Sequence, residues 1–386
     1  MEITENLTLA LSILLAWTAL ACVLCLKVKD AKEFVLILTT LIIGVCFINS
    51  ESEVVASALI ITLLIISLLS IVLYKARSTA KNFYWGVGTF CLAILAVVLF
   101  MLTNNPALLL LAVMITLPIF PLHGGYLSIL TGLPLAVSAF FSLLLPLVGL
   151  FSIYSLLGHE VFTSGRSAEI LILLAVLGAL YGSLKALIQK KGPEFIAYAG
   201  LSLSAVLWLG LSLAALSAAS AFVYLSSLGV VTAGLLLLWR CIVVRYEDVR
   251  IDTIIKRVGG LSKPMPVFGV LVLFILWAAI GLPPFGLFMG FVEILVAMSV
   301  ELSWHIFVVL LVWFMASWYF IVFLQKVLFG PKKRSFEYKK LNFNEGISLG
   351  IIILILLILG LGSYKNLDAK VATQGYEQKI KTELSS

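Results

Sequence analysis

Three side chains in this sequence have both the chemistry and the setting to move a proton or hold a buried charge. His123 follows Pro118 and Pro121 in ITLPIFPLHGG, Glu293 follows Pro283 and Pro284 in GLPPFGLFMGFVEI, and Lys185 stands in YGSLKALIQKK. An imidazole offers a donor and an acceptor on separate ring nitrogens, so His123 suits a proton relay or hydrogen bonding to carbonyls that the prolines release. Glu293, an acid inside an apolar run, suits a displaced relay member or one half of an ion pair with another subunit. Lys185 lies near the end of its run, where a long stem can snorkel to the headgroups; transport is the alternative. His305, beside Trp304, reads as interfacial. Glu194 directly after Pro193 reads as a helix start. No nucleophile–base pair accompanies any of these. Cys22 and Cys25 form a CxxC with no partner cysteine or histidine close in sequence, so they and Cys46, Cys91 and Cys241 read as packing residues. No metal set, GxGxxG or P-loop is present, so no cofactor is expected on this chain and any redox chemistry belongs to partners.

The elements that carry these residues are membrane helices. Of 386 residues 62% are hydrophobic and 12% charged, with a mean hydropathy of +1.17, which excludes an ordinary soluble domain. The formal charge of +7 sits in short loops and sets orientation in the bilayer, so a nucleic-acid partner is not expected. The first apolar run lacks a basic leader and reads as a retained helix. With about 20 apolar residues per crossing, the sequence predicts an all-α polytopic protein of about twelve spans: 7–26, 34–49, 54–74, 83–103, 106–130, 134–157, 169–189, 194–215, 221–240, 265–297, 303–325 and 346–363. Basic loops alternate with acidic or uncharged ones, which predicts a multi-pass protein of the cell membrane with both termini outside. Pro118, Pro121, Pro283 and Pro284 break the fifth and tenth spans, 106–130 and 265–297. In lipid, such breaks survive only against protein or water, which makes them candidate sites. Five crossings separate them, so they point opposite ways. That parity predicts two inverted five-helix repeats beginning near 54 and 194; by segment, a four-helix stretch, 1–103, precedes an antiporter-like core with both breaks, 104–363, and a polar tail, 364–386.

Several stretches together resemble one family, the antiporter-like subunits of respiratory complex I, membrane-bound hydrogenases and multisubunit sodium/proton antiporters. FPLHGGYLSILTGLPLAVSAF (Phe120 to Phe140) resembles the family's PLH followed by WLPDAHxxAPxxxS. YGSLKALIQKKGPEFIAYAGLS (Tyr181 to Ser202) is similar to YGALxALxQxDLKRLxAYSSxS. GGLSKPMP (Gly259 to Pro266), GLPPFGLFMGF (Gly281 to Phe291) and WYFIVFLQKVLFGP (Trp318 to Pro331) resemble GGLxxxMP, GLPPxxGFxGKF and YxLRxxQRxxFGP in the family's order.

What the resemblance implies is a row of ionisable side chains at mid-membrane, joined by water. Here the first family lysine corresponds to Thr116, the second to Leu147, the histidine or lysine of a later helix to the region of Leu228 and Thr232, and the residue after the second break to Phe291. Glu194 matches a family arginine, inverting the charge. Thr, Leu and Phe cannot exchange a proton in this range. The resemblance therefore implies a membrane-arm subunit of a multisubunit redox complex, beside a true antiporter-like subunit, in contact with lipid, and reaching the redox module only through partners. The alternative is an active proton or sodium/proton transporter with a sparser route through His123 and Glu293.

Overall fold

In hydrocarbon a single chain satisfies its backbone most simply as helices, and every regular element among the described residues is helical. A computed structural model describes residues 2–27, 30–75, 79–157, 165–213, 216–245, 255, 258–300, 303–331 and 341–362. The polar tail and most of the loop between Arg245 and Lys263 lie outside them. The elements are α1 (Glu2–Leu24), α2 (Ala31–Ile48), α3 (Glu53–Leu73), α4 (Ala80–Thr103), α5 (Pro106–Thr116), α6 (Gly124–Gly132), α7 (Leu135–Ser152), α8 (Gly165–Ile188), α9 (Gly192–Ser212), α10 (Ala218–Val243), α11 (Pro266–Ile280), α12 (Gly286–Val300) and α13 (His305–Leu324), then α14 (Phe343–Gly362). Ten helices among the described residues are long and apolar enough to cross a membrane. The short pairs α5/α6 and α11/α12 occupy the two remaining positions, so the twelve expected crossings are all represented.

The breaks fall where the prolines require. Helix α5 stops at Thr116, and α6 begins only at Gly124, past Pro118 and Pro121. Helix α11 stops at Ile280 because Gly281 takes a φ of 76°, a left-handed cap that disfavours any side chain. Cis peptide bonds precede Pro121 and Pro284. Each broken span packs between its neighbours in the chain, α5/α6 against α4 and α7, and α11/α12 against α10 and α13. Helix α8 lies along α9 and α7 along α10. Helices α7, α9 and α10 are wrapped by protein on nearly every side, whereas α1 to α4, α8, α13 and α14 leave long apolar faces outward, as lipid-facing helices do.

Polar side chains gather at one end of the bundle. Arg240, in the last turn of α10, reaches Asp30 at 3.0 Å and Glu33 at 3.7 Å, tying the start of α2 to the core. Arg245 donates to the Cys241 carbonyl and to Glu345 in the first turn of α14. Backbone bonds join Ile255 to Lys190 and Leu261 to Val327, so loops that carry the basic residues lie side by side. Burial works against a charge on Asp30, but the Lys27 amide and the Arg240 guanidinium outweigh it and hold the carboxyl below its usual value. A depressed carboxylate stabilises the fold above its unfolded pKa of about 3.9 and loses that contribution as pH falls through the lower folded value. Unfolding of Asp30→Asn in detergent should therefore differ from the unaltered protein near neutral pH and converge with it on acidification.

Candidate functional site

A helix that stops inside a membrane leaves carbonyls without amide partners. At both breaks an indole fills that need. Trp208, fully buried on α9, donates to the Leu117 carbonyl at the end of α5, 3.2 Å away. Trp313 on α13 donates to the Ile280 carbonyl at the end of α11, 2.8 Å away. Two of the carbonyls freed at the breaks are thus capped by tryptophans from neighbouring spans.

His123 opens α6 as its N-cap residue, is 1% exposed, and has no hydrogen-bond partner at either ring nitrogen. The Pro121 carbonyl lies close enough to act on the ring. Aromatic rings surround the imidazole. Trp85 of α4 stands edge-on at 4.6 Å, Phe120 lies nearly parallel at 5.9 Å, and Tyr181 of α8 and Tyr198 of α9 sit at 5.5 and 6.4 Å. Lys185, in the last turn of α8, is half-buried with its ammonium 5.8 Å from the Tyr181 ring. The ring lies four residues back along α8, away from the end of the helix. Glu194, in the first turn of α9, pairs with Lys191 at 3.6 Å.

The positions that match the family's relay are packed, and their polar atoms are turned inward to their own helices. Thr116 ends α5 and donates to Val113 at 3.1 Å. Leu147 follows Pro146 in α7 and is fully buried. Leu228 is buried and its carbonyl accepts from Thr232 at 2.8 Å. Phe291, fully buried, lies flat on Trp313 at 5.0 Å and edge-on to Tyr224 at 5.7 Å. Glu293 is half-buried further along α12. It belongs to the second broken span and His123 to the first, and none of the described ring contacts of His123 involves its helix.

Sequence reasoning missed the indole caps and the two tyrosines. The tyrosines do stand in YGSLKAL and EFIAYAG, the stretches that carried the resemblance, which was the available signal. It also missed a thiol cluster: Cys25 donates to Ser348 of α14 at 3.2 Å and lies beside Cys241 of α10, so the CxxC has a third cysteine near it after all.

A family model described as NADH:quinone oxidoreductase/Mrp antiporter, transmembrane, matches residues 31–317. Subunit M of the F(420)H(2) dehydrogenase of Methanosarcina mazei is 26% identical over 260 residues, which cover 66% of this chain and 51% of that protein. NADH-ubiquinone oxidoreductase chain 4 of Chondrus crispus is 30% identical over 197 residues, 50% of this chain and 39% of that one. The chain spans about half the length of the first of these and less of the second. In fold it is similar to a chain of the archaeal membrane-bound sulfane sulfur reductase, with a TM-score of 0.79 at 19% identity over 92% of this chain and 64% of that one. It is also similar to a chain of respiratory complex I from Thermus thermophilus, with a TM-score of 0.75 at 23% identity over 90% and 79%. With the family model covering most of the sequence and both broken spans in place, the chain belongs to the NADH:quinone oxidoreductase/Mrp antiporter transmembrane family.

Proposed function

We propose that this chain is a membrane-arm subunit of a multisubunit ion-translocating redox complex, of the complex I-like, membrane-bound hydrogenase or sulfur-reducing type, and that it carries no complete proton pathway of its own. It fills a place next to a true antiporter-like subunit, and the redox module is reached through other partners. The basic end of the bundle faces the cytoplasm, with both termini outside. The observation that carries this reading is the filling of the relay positions: Thr116 is bonded to its own helix, Leu147 and Leu228 are buried among apolar groups, and Phe291 is stacked on Trp313. A charged group at mid-bilayer costs at least about 2.5 kcal/mol on insertion scales, so inert residues are the expected replacement where no ion has to pass.

Glu293→Gln in the intact complex is the test. Proton pumping coupled to electron transfer should continue largely unchanged in membrane vesicles. Loss of pumping with normal assembly and electron transfer overturns the proposal. It would favour the second reading, an ion route through Glu293 and His123, for which the unpartnered nitrogens of His123 are the supporting observation.

A further inference from the structure

Two stripes of side chains at helical spacing meet between α2 and α3. On α2 they are Lys32, Val35, Leu36 and Thr39, and on α3 Ser70, Leu73 and Tyr74, so each helix contributes one face. Together they line a groove of about 550 Å³. Val35 and Leu73 are exposed, so the groove opens sideways to lipid. Lys32 and Thr39 are about 10 Å apart along the helix axis, against about 15 Å for half of the hydrocarbon layer. The groove therefore runs through much of one leaflet.

The hydroxyls in its depth are already used. Thr39 donates to the carbonyls of Val35 and Leu36, at 2.9 and 3.1 Å, and Ser70 donates to that of Ile66 at 2.7 Å. What they leave is an aliphatic surface, suited to a hydrocarbon chain rather than to a polar guest.

The mouth is different. Among the described residues lining the groove Lys32 alone is charged, and it stands at the end where α2 begins and α3 finishes. Lys75, directly after Tyr74, belongs to the same end, with its ammonium 4.9 Å from the Phe83 ring. The acids nearby on this side of the chain answer another cation: Arg240 holds Asp30 at 3.0 Å and Glu33 at 3.7 Å, and Glu33 is turned into the core. An apolar groove with lysines at its mouth matches an amphiphile that has an acyl chain and an anionic head.

We propose that the groove between α2 and α3 binds one anionic phospholipid, with an acyl chain between Val35 and Leu73 and the phosphate at Lys32. A zwitterionic lipid suits it less, because its own cation opposes Lys32. An apolar helix from a neighbouring subunit would cover Lys32 without supplying a counter-charge, a cost that a lipid phosphate avoids.

The test is native mass spectrometry of the full chain released from nanodiscs that hold equal amounts of phosphatidylglycerol and phosphatidylcholine. One phosphatidylglycerol should stay bound. Lys32→Glu reverses the charge at the mouth and Val35→Trp fills the groove, and each should lower that retention about tenfold. Lys263→Glu makes the same change of net charge outside the groove and should leave retention as it was. Equal retention of the two lipids, or retention that the two groove variants do not alter, overturns the proposal. A diazirine side chain in place of Leu73 reads the occupant in native membranes. A lipid adduct is the expected product, whereas a polypeptide adduct gives the groove to a neighbouring subunit and overturns the proposal.

Discussion

Arg245→Met will destabilise the protein by about 3–5 kcal/mol, the usual result of removing one partner from a buried ion pair. Arg245 is 4% exposed and holds Glu345 at the start of α14 together with the Cys241 carbonyl at the end of α10. Without the guanidinium, the Glu345 carboxylate stays mostly covered with only the Asn342 amide, 3.0 Å away, described as bonding to it. Helix α14 leans on the second break with little tolerance for movement: a Cβ at Gly360 would collide with the Pro284 carbonyl. Loosening its first turn should therefore be felt along the whole helix. Thermal unfolding in detergent gives the single-variant loss, and Arg245→Met/Glu345→Leu should recover a large part of it, because an apolar pair avoids the stranded charge. Equal losses in the single and double variants would show that shape at this site matters more than charge.

Phe291→Lys is the second large effect. It restores the residue type that the family resemblance places there, at a position with no exposed surface and a ring lying parallel to Trp313. Loss of a buried phenylalanine alone costs about 3–5 kcal/mol, and an ammonium without an anion or water beside it adds to that. The variant should accumulate poorly and unfold early, while Phe291→Leu keeps most of the apolar contact and should remain close to the unaltered protein. A stable Phe291→Lys protein would mean that α12 borders a wet space, and the proposal of an incomplete pathway would then fail. Quantifying folded protein by detergent-stable gel filtration separates these outcomes.

How much of this was legible in the sequence depended on the range of the interaction. Crossings and breaks are local: run length, Pro118, Pro121, Pro283, Pro284 and Gly281 act on their own turns, and the helices begin and end within a few residues of the expected bounds. Glu194 behind Pro193 was likewise readable, and it sits in the first turn of α9 as expected. The bond from Trp208 to Leu117 spans 91 residues, and that from Arg240 to Asp30 spans 210. No periodicity encodes such meetings. They follow from which helix faces come together, and that is why the indoles were unforeseen. The thiol of Cys25 bonding Ser348 across 323 residues belongs to the same class.

The indole contacts also bear on the electrostatic field inside the bundle. The carboxyl ends of α5 and α11 each carry roughly half a negative elementary charge from aligned peptide dipoles, and in a low-dielectric interior such an end attracts a cation. Trp208 and Trp313 place the positive end of an N–H bond on a carbonyl at each of them. Part of that attraction is thereby spent on a fixed, neutral donor. A sodium or hydronium ion entering either break meets an end already occupied, so the two half-helices lend a passing cation less pull than their peptide alignment alone would supply.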